Sequence, residues 1–511
     1  MRLGSSSSHF SRRLFMLPFW GDMKMAILRQ AKVGMQVAVA AVGALGLCTS
    51  ATHAGDATNT EQGSVTISWN QVQGASKTTP TMQAVVQPPY RPTSTLHKSI
   101  YAAIRSLHAN DMRLVPWMAQ PRLAIAELSP PTRQDTSWSF KEIDPEVIPF
   151  LNATEGHNPI IDFSVIPRWM FKTSVNVPVP ADPDTLVWNY SNISGTPFNS
   201  PGKVELADPT GKQIGDYYGR LVSWYTRGGF TDEDGAYHRS GYHYKFPWWE
   251  VLSELDNGED IRVYNRLYDS MVTGIRKVSP NTKFIGFAPD CYPGSIECSP
   301  EYFEYFLDRN NHLPGIPIDM LSLHAYATPT PRETADQWQY TFFDQADSFL
   351  QLVQYVNAIR ARLRPSAGID VDELGCILPA DVVNVVRGML SLPPVKVSSN
   401  IPKIYWNACG AFFAYTYMGL VREDVDIVTA SQLFGYPGQF PSVSLLYPST
   451  GKPNARFRVL QLIVDNFHPG DKSVHTEVDF GTLSDVSAQA FVTPGGKLRI
   501  PAIVNSKSTR W

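Results

Sequence analysis

The sequence predicts an α/β fold, a (β/α)8 TIM barrel followed by a small C-terminal β-sandwich that is either truncated or a smaller module. Apolar segments of strand length alternate with helical segments between residues 96 and 448, a pattern typical of a parallel barrel. The chain of 511 residues exceeds the roughly 250 that such a barrel needs, which leaves room for insertions and a second module. No glycine-rich phosphate-binding loop follows a predicted strand, so the alternative, a doubly wound open sheet, is less favoured.

The predicted strands are short apolar runs, several of them bounded by proline or glycine. Pro159–Ile166 is typical, because a continuous apolar run of this length indicates a strand buried on both faces. The strands predicted in the barrel are Met112–Trp117, Pro159–Ile166, Tyr244–Leu252, Lys283–Phe287, Asp319–Tyr326, Gly368–Leu374 and Val425–Ala430.

The predicted helices carry apolar residues at every third or fourth position, which places these residues on one face. Asp260–Val278 shows this period most clearly. The other predicted helices are Leu96–His108, Ile214–Tyr225, Glu301–Asp308, Phe342–Leu363, Ile404–Leu420 and Asn454–Asn466.

The first 54 residues have the features of a targeting segment. Basic residues precede the apolar run Val33–Cys48, which has the length of a signal sequence and is short for a membrane span. We expect a cleaved signal, with a membrane anchor as the alternative, and a secreted or periplasmic protein without a stable membrane span. The expected division is 1–54 signal, 55–95 leader, 96–448 barrel, and 449–511 post-barrel helix and partial β-sandwich.

Composition and charge exclude several classes of partner. The net charge of −3, without a long basic run, disfavours nucleic-acid binding. No Cys/His cluster has zinc spacing, so we expect neither a metal site nor a cofactor. Aromatic residues make up 12% of the chain, which suits stacking against sugars. The four cysteines after the signal could form disulfides in an exported protein or remain free thiols: Cys291, Cys298, Cys376 and Cys409.

Two glutamates end predicted strands in positions that suit acid–base chemistry. Glu254 follows the strand Tyr244–Leu252, and Glu373 lies at the end of Gly368–Leu374. Their separation of 373 − 254 = 119 residues leaves room for two strand–helix units of about 30 to 35 residues each. The pair therefore falls on the fourth and seventh strands and faces the same end of the barrel. A lone glutamate at a strand end would more often form a salt bridge or a cap.

Four segments resemble motifs of clan A glycoside hydrolases, and most of all of family 39. Trp248–Asn257 is similar to the motif W-E-x-W-N-E-P-N, and Leu321–Tyr326 to S-x-H-x-Y. Val371–Gly375 resembles T-E-W-G/N, and Gly451–Arg456 resembles G-x-P-K-P-x-Y-x-A. The resemblance extends over roughly residues 96 to 504, with all four motifs in the order of the family.

This resemblance implies retaining hydrolysis of glycosidic bonds through a glycosyl-enzyme intermediate. Family 39 is known for β-xylosidases and α-L-iduronidases. By the same resemblance Glu254 is the acid/base and Glu373 the nucleophile, with His324 and Tyr326 close to the nucleophile. Arg113, on the second strand, corresponds to an arginine that clan A enzymes place there as an ion partner of the nucleophile.

Further residues are candidates for contacts with the substrate. Trp169, Trp249, Trp406 and Gln432 are expected to form subsite walls or to bind sugar hydroxyls, although core packing is the alternative for the tryptophans. Ser253 replaces the asparagine of the clan motif, which normally contacts the sugar 2-hydroxyl, so this position bears on the identity of the sugar.

Three functions are compatible with these observations. The first is an exo-acting glycosidase such as a β-xylosidase. The second is an endo-glycanase that acts on plant wall or extracellular polysaccharide. The third is a carbohydrate-binding pseudoenzyme, which the retention of both glutamates disfavours. In each case the partner is an oligosaccharide or polysaccharide.

Overall fold

A computed structural model describes residues 64–117, 120–172, 177–188, 190, 206–254, 260–291, 298–389, 392–393, 401–435, 439–479, 486–499 and 502–504. Its strands are β1 (Ser64–Ala75), β2 (Thr79–Val85), β3 (Asp111–Val115), β4 (Asn158–Ile161), β5 (Gly229–Thr231), β6 (Tyr237–Arg239), β7 (Trp248–Glu250), β8 (Lys283–Asp290), β9 (Met320–Ala327), β10 (Gly368–Cys376), β11 (Ile427–Ala430), β12 (Lys472–Asp479), β13 (Val486–Ala488), β14 (Ala490–Val492), β15 (Leu498–Arg499) and β16 (Ala502–Val504).

The helices of the described residues are α1 (His97–Leu107), α2 (Pro121–Ala124), α3 (Asp144–Ala153), α4 (Lys212–Thr226), α5 (Ile261–Val278), α6 (Pro300–Leu307), α7 (Trp338–Leu363), α8 (Pro379–Met389), α9 (Lys403–Arg422) and α10 (Ala455–Asn466). Most of the predicted helices are confirmed to within a few residues. In α5, for example, the side chain of Asp260 accepts a hydrogen bond from the backbone N–H of Arg262 and so caps the helix where its apolar face begins.

Eight parallel strands close into a barrel in the order β2, β3, β4, β7, β8, β9, β10 and β11. The ring closes where β11 pairs with β2, from Ile427 opposite Thr79 to Ala430 opposite Met82. The predicted (β/α)8 barrel is therefore confirmed. The segment before Glu254 is the fourth strand of the ring and the segment that holds Glu373 is the seventh, as the spacing predicted.

The first barrel strand, Thr79–Val85, lies inside the range 55–95 that was expected to be a leader, so that boundary is wrong. The prediction failed because Thr81 and Gln83 interrupt the apolar pattern. Both are fully or almost fully buried, and the hydroxyl of Thr81 donates to the carbonyl of Asp111. Polar residues inside this barrel gave its first strand the sequence pattern of an exposed segment.

The C-terminal β module is present and takes one strand from the other end of the described chain. β1 pairs antiparallel with β12, from Ser64 opposite Asp479 to Ala75 opposite Lys472. The sheet continues through β14 and β15, and β13 pairs separately with β16. The predicted signal segment, 1–54, lies outside the described residues. None of the helices that the structure describes is both long and apolar enough to cross a membrane.

Two disulfides link the four cysteines of this part of the chain. Cys291 pairs with Cys298 across a short loop after β8. Cys376, at the end of β10, pairs with Cys409 in α9 and so ties the seventh barrel strand to the helix that follows it. Both partners of the second disulfide are buried.

Removing the Cys376–Cys409 disulfide should destabilise the protein more than removing Cys291–Cys298. The two bonds close loops with sequence separations of 33 and 7 residues. The entropy lost by the unfolded chain is worth about 4 kcal/mol for the longer loop and about 2 kcal/mol for the shorter one. We expect Cys376→Ala/Cys409→Ala to lower the free energy of unfolding more than Cys291→Ala/Cys298→Ala in denaturant titrations. Equal losses would contradict this ranking.

Candidate active site

Arg113 lies at the centre of the site, on the second barrel strand, with a fully buried side chain. Its Nε and Nη2 donate to the two oxygens of Glu250 over 2.6 and 2.9 Å. Its Nη1 donates to Oε1 of Glu373 over 2.7 Å, and its Nη2 to Oδ2 of Asp162 over 3.2 Å. Burial lowers the pKa of Arg113, but the surrounding carboxylates, Glu250 first, raise it by more, so the guanidinium stays charged.

Asp372 also lies 3.5 Å from Nη2, and two neutral side chains contact the guanidinium as well. Nη1 also donates to Oε1 of Gln83 on the first barrel strand. Nη2 lies 3.4 Å from the hydroxyl of Ser253, which accepts from it. Ser253, the residue that replaces the motif asparagine, is almost fully buried and contacts the arginine. The structure thus places Ser253 beside Arg113, immediately before Glu254 in the chain.

Glu373 is held by donors at both of its oxygens. Arg113 donates to Oε1, and the hydroxyl of Tyr326 donates to Oε2 over 2.5 Å. The Tyr326 hydroxyl also contacts that of Ser431. Burial and the charges of Glu373 and Glu254 raise the pKa of Tyr326 well above its usual value, so the phenol keeps its proton and can donate. These contacts fix the orientation of a carboxylate at this position.

His324 joins the other glutamate to the same network. Its Nδ1 lies 3.1 Å from Oε1 of Glu254, and its Nε2 lies 3.2 Å from Oδ2 of Asp372. Burial lowers the pKa of His324, but the negative charges of Glu373 and Asp372 outweigh this and raise it well above the usual value. The raised pKa favours the doubly protonated imidazole, which can donate to both carboxyl groups.

Glu254 and Glu373 converge on one small region. A carboxylate oxygen of Glu254, one of Glu373 and a ring nitrogen of His324 lie within 4.8 Å of one another. The side chain of Glu254 is 21% exposed and that of Glu373 is 9% exposed, so both reach solvent at the edge of the buried network. Two carboxyl groups at this separation can act on the same bond of a bound molecule.

The backbone that leads to Glu254 adopts an unusual conformation. Leu252 and Glu254 have φ angles of +66° and +53°, in the left-handed region that residues with side chains rarely adopt. The N–H of Glu254 donates to the carbonyl of Ala288, which is itself left-handed with φ +53°. Such positions cost on the order of 1–3 kcal/mol each and concentrate at functional sites. The observed backbone therefore adds an independent indication that Glu254 is held in place for a function.

Glu250 and Asp372 form a deeper acidic pair that sequence reasoning missed. Burial raises the pKa of Glu250, and the negative charge of Asp372 raises it further, against the effect of Arg113. Burial also raises the pKa of Asp372, but His324 and a hydrogen bond from Glu250 outweigh it, so its pKa is lowered. These opposite shifts favour a proton on Glu250 over one on Asp372. The sequence signal that could have revealed this pair is an acidic residue inside an otherwise apolar strand, as in Trp-Trp-Glu-Val-Leu.

Two of the predicted contact residues lie in the protein core instead. Trp249 is fully buried and stacks on Phe163, with ring centroids 6.0 Å apart. Trp406 is 2% exposed and packs edge-on against Tyr405 and Tyr447 outside the barrel. Neither indole presents a face that a sugar could cover, so their prediction as subsite walls is wrong and the alternative, core packing, applies.

Trp169 and Gln432 lie beyond the ends of barrel strands, at the same face as the glutamates. Trp169 follows the third strand, is half-buried, and donates from its indole N–H to the carbonyl of Glu127 over 2.9 Å. Gln432 follows the eighth strand, and its side-chain nitrogen has no hydrogen-bond partner in the described part of the chain. Both remain candidates for contact with substrate.

Groups that could ligate a metal ion also occur here. Glu250, His324 and Asp372 form one such group, and Glu254, His324 and Glu373 form another. Both depend on His324, whose two nitrogens lie within hydrogen-bond distance of carboxyl oxygens. A metal ligand must be a neutral imidazole with a free lone pair, so a metal ion at either group would compete with the proton that the neighbouring carboxylates favour on His324.

Comparisons with known proteins support the fold. No protein-family model and no curated protein matches the chain. A family 51 α-L-arabinofuranosidase from Bifidobacterium longum is similar in structure, with a TM-score of 0.55 and 9% identity over 86% of this chain and 84% of that chain. An α-L-arabinofuranosidase from Thermotoga maritima is also similar, with a TM-score of 0.50 and 14% identity over 86% of this chain and 85% of that chain.

A bifunctional glucanase-xylanase from a metagenome library, CelM2, also matches, with a TM-score of 0.50 and 13% identity over 87% of this chain and 88% of that chain. These similarities show that the chain has the fold of TIM-barrel glycoside hydrolases. At such identities they do not distinguish one family from another, so the resemblance to family 39 stays a prediction.

His324 should make stability fall as the pH rises above about 6.5, its ordinary pKa. The raised pKa keeps His324 protonated in the folded protein while the unfolded chain releases the proton. The free energy of unfolding should therefore drop by up to about 1.4 kcal/mol per pH unit through this group. In His324→Gln this contribution should be missing from denaturant titrations between pH 6 and 9. The matched change His475→Gln, at a half-exposed histidine of β12, should keep the wild-type slope. Identical slopes in all three proteins would contradict a charged His324.

Proposed function

We propose that the protein is a retaining glycoside hydrolase, with Glu254 as the acid/base and Glu373 as the nucleophile. The observation that carries this proposal is the approach of their carboxylate oxygens to within 4.8 Å beside His324. Retaining enzymes hold these groups about 5–5.5 Å apart, whereas inverting enzymes need about 6.5–9.5 Å to admit a water molecule. The glycosidase fold and the order of the four motifs support the same reading.

The first half of the reaction forms a covalent intermediate. Glu373 attacks the anomeric carbon as Glu254 transfers its proton to the glycosidic oxygen, and the leaving alcohol departs. Arg113 and Tyr326 hold the attacking carboxylate through one hydrogen bond to each of its oxygens. Fixed donors of this kind lose little entropy during the reaction, which is how a preorganised site lowers the barrier.

The second half releases the sugar. Glu254, now ionised, takes a proton from water, and the oxygen of that water attacks the anomeric carbon and displaces Glu373. His324 donates to Glu254 and so stabilises the ionised form that acts as base. The anomeric carbon is inverted twice, so the product has the configuration of the substrate.

The resemblance to family 39 makes an exo-acting glycosidase, such as a β-xylosidase, the preferred specificity. A binding protein without activity would not need a held nucleophile, an acid/base and a strained backbone together. We also propose that the protein acts outside the cytoplasm. Its two disulfides support this location, because such bonds persist in oxidising compartments.

Glu373→Ala should abolish hydrolysis, because no other carboxylate of the described site is placed to form the glycosyl-enzyme. The wild type should be screened with nitrophenyl glycosides and plant polysaccharides, and the anomer formed first should be read by NMR. We expect net retention by the wild type and wild-type rates for Glu301→Ala, a control at an exposed residue of α6. Full activity of Glu373→Ala would refute the nucleophile, and an inverted product would refute the mechanism.

A further inference from the structure

A segment between the third and fourth barrel strands is tied to several other loops at the mouth of the barrel. We define residues 177–188 and 190 as the strap. Arg122, which follows the second barrel strand, donates to the carbonyl of Pro180 in the strap. Asp184 of the strap pairs with Arg91, which follows the first barrel strand, and its carbonyl accepts from Gln120 over 3.4 Å. The strap is thus anchored beyond the ends of the first and second strands.

An aromatic cluster attaches the end of the strap to the far side of the mouth. The ring of Trp188 lies 5.7 Å from that of Trp117 and 5.9 Å from that of Phe440. The rings of Trp117 and Phe440 are 5.8 Å apart. Trp117 lies two residues beyond the second strand, and Phe440 belongs to the segment that follows the eighth. The three rings therefore join loops that come from different parts of the barrel.

Trp188 also reaches the helix that follows the seventh strand. A Cβ atom at Gly388 of α8 would clash with Cδ1 of the indole, so only glycine permits this approach. The strap starts after the third strand and contacts segments that follow the second, first, eighth and seventh. This is the order of the strands around the ring. The strap therefore lies along one continuous arc of the barrel rim.

The catalytic glutamates divide the rim into two arcs. Glu254 and Glu373 belong to the fourth and seventh strands, so one arc contains the fifth and sixth strands and the other contains the third, second, first and eighth. The strap lies on the second arc. A long glycan that passes between the glutamates must leave over both arcs. Within the described residues the strap spans the second arc alone, so the glycan would continue over the fifth and sixth strands.

Three buried amide side chains belong to the closed arc. Gln87 follows the first strand, and Gln432 and Gln439 follow the eighth. All three side chains are at most 3% exposed, and each has an amide atom with no hydrogen-bond partner among the described residues. Buried amides are normally hydrogen-bonded, so these three make the interior of the closed arc polar.

We propose that the strap, through Trp188, Trp117 and Phe440, restricts this enzyme to the terminal, non-reducing sugar of its substrate. The terminal ring occupies the closed arc, and the remainder of the glycan leaves over the fifth and sixth strands. This inference rests on the proposed glycosidase function and adds the residues that determine its exo mode.

The test uses oligosaccharides of two to six units with a fluorophore at the reducing end, built from the sugar that the protein cleaves best as a nitrophenyl glycoside. The wild type should shorten each labelled chain by one unit at a time and release unlabelled monosaccharide. Release of labelled monosaccharide, or of internal fragments, would overturn the inference while leaving the hydrolase proposal intact. A wild type that cleaves no glycoside would overturn the hydrolase proposal and this inference with it.

Variants of the cluster test the residues themselves. Trp188→Ala, and Phe440→Ala, which removes a smaller ring, should open the arc. Products shortened by two or more units should then appear at early times. Trp138→Ala removes an aromatic residue that packs against α4 instead, and should keep the wild-type pattern. Melting temperatures identify any variant that fails to fold. The product pattern of the wild type tests the exo mode without any variant. A single-unit pattern in both folded cluster variants would rule out the cluster as the determinant.

Discussion

The buried charge of Arg113 is the constraint on which the rest of the site depends. A guanidinium without exposed surface needs compensating charge, and four carboxyl groups lie within 3.5 Å of it, those of Glu250, Asp162, Asp372 and Glu373. Removal of one member of such a buried pair typically costs about 3–5 kcal/mol, because the remaining charges lose their compensation. The ion contacts that compensate the buried charge of Arg113 therefore also hold the nucleophile. Stability and function are coupled at Arg113.

A second cation, His324, extends this arrangement to the acid/base. It lies between Glu254 at the solvent edge and Asp372 in the interior, so the exposed and buried parts of the network are electrostatically linked. The proton on Glu250 reduces the negative charge that Arg113 and His324 must balance. Such a network can keep Glu373 and Glu254 in different environments although their oxygens are close, which is what two different catalytic roles require.

The sequence identified the residues whose surroundings are local and missed those that depend on distant contacts. Glu254 and Glu373 were predictable because each lies near the carboxyl end of a recognisable strand, and the barrel fold brings such ends together. The first barrel strand was missed because Thr81 and Gln83 face a polar interior that only the closed ring creates. Trp249 and Trp406 were misassigned because an indole that covers a sugar and an indole in the core have the same local sequence pattern. The strap shows no periodicity, and its contacts join residues far apart in the chain.

The central claim is that Glu373 forms a covalent bond to the substrate, and trapping that intermediate tests it most directly. A 2-deoxy-2-fluoro glycoside with a good leaving group, made from the sugar that the protein hydrolyses, should slow release of the intermediate enough for mass spectrometry. The account predicts that the intact protein gains the mass of one fluoroglycosyl group and that peptide mapping places it on Glu373. A label on another residue, or continued turnover of the normal substrate without any label, would contradict it.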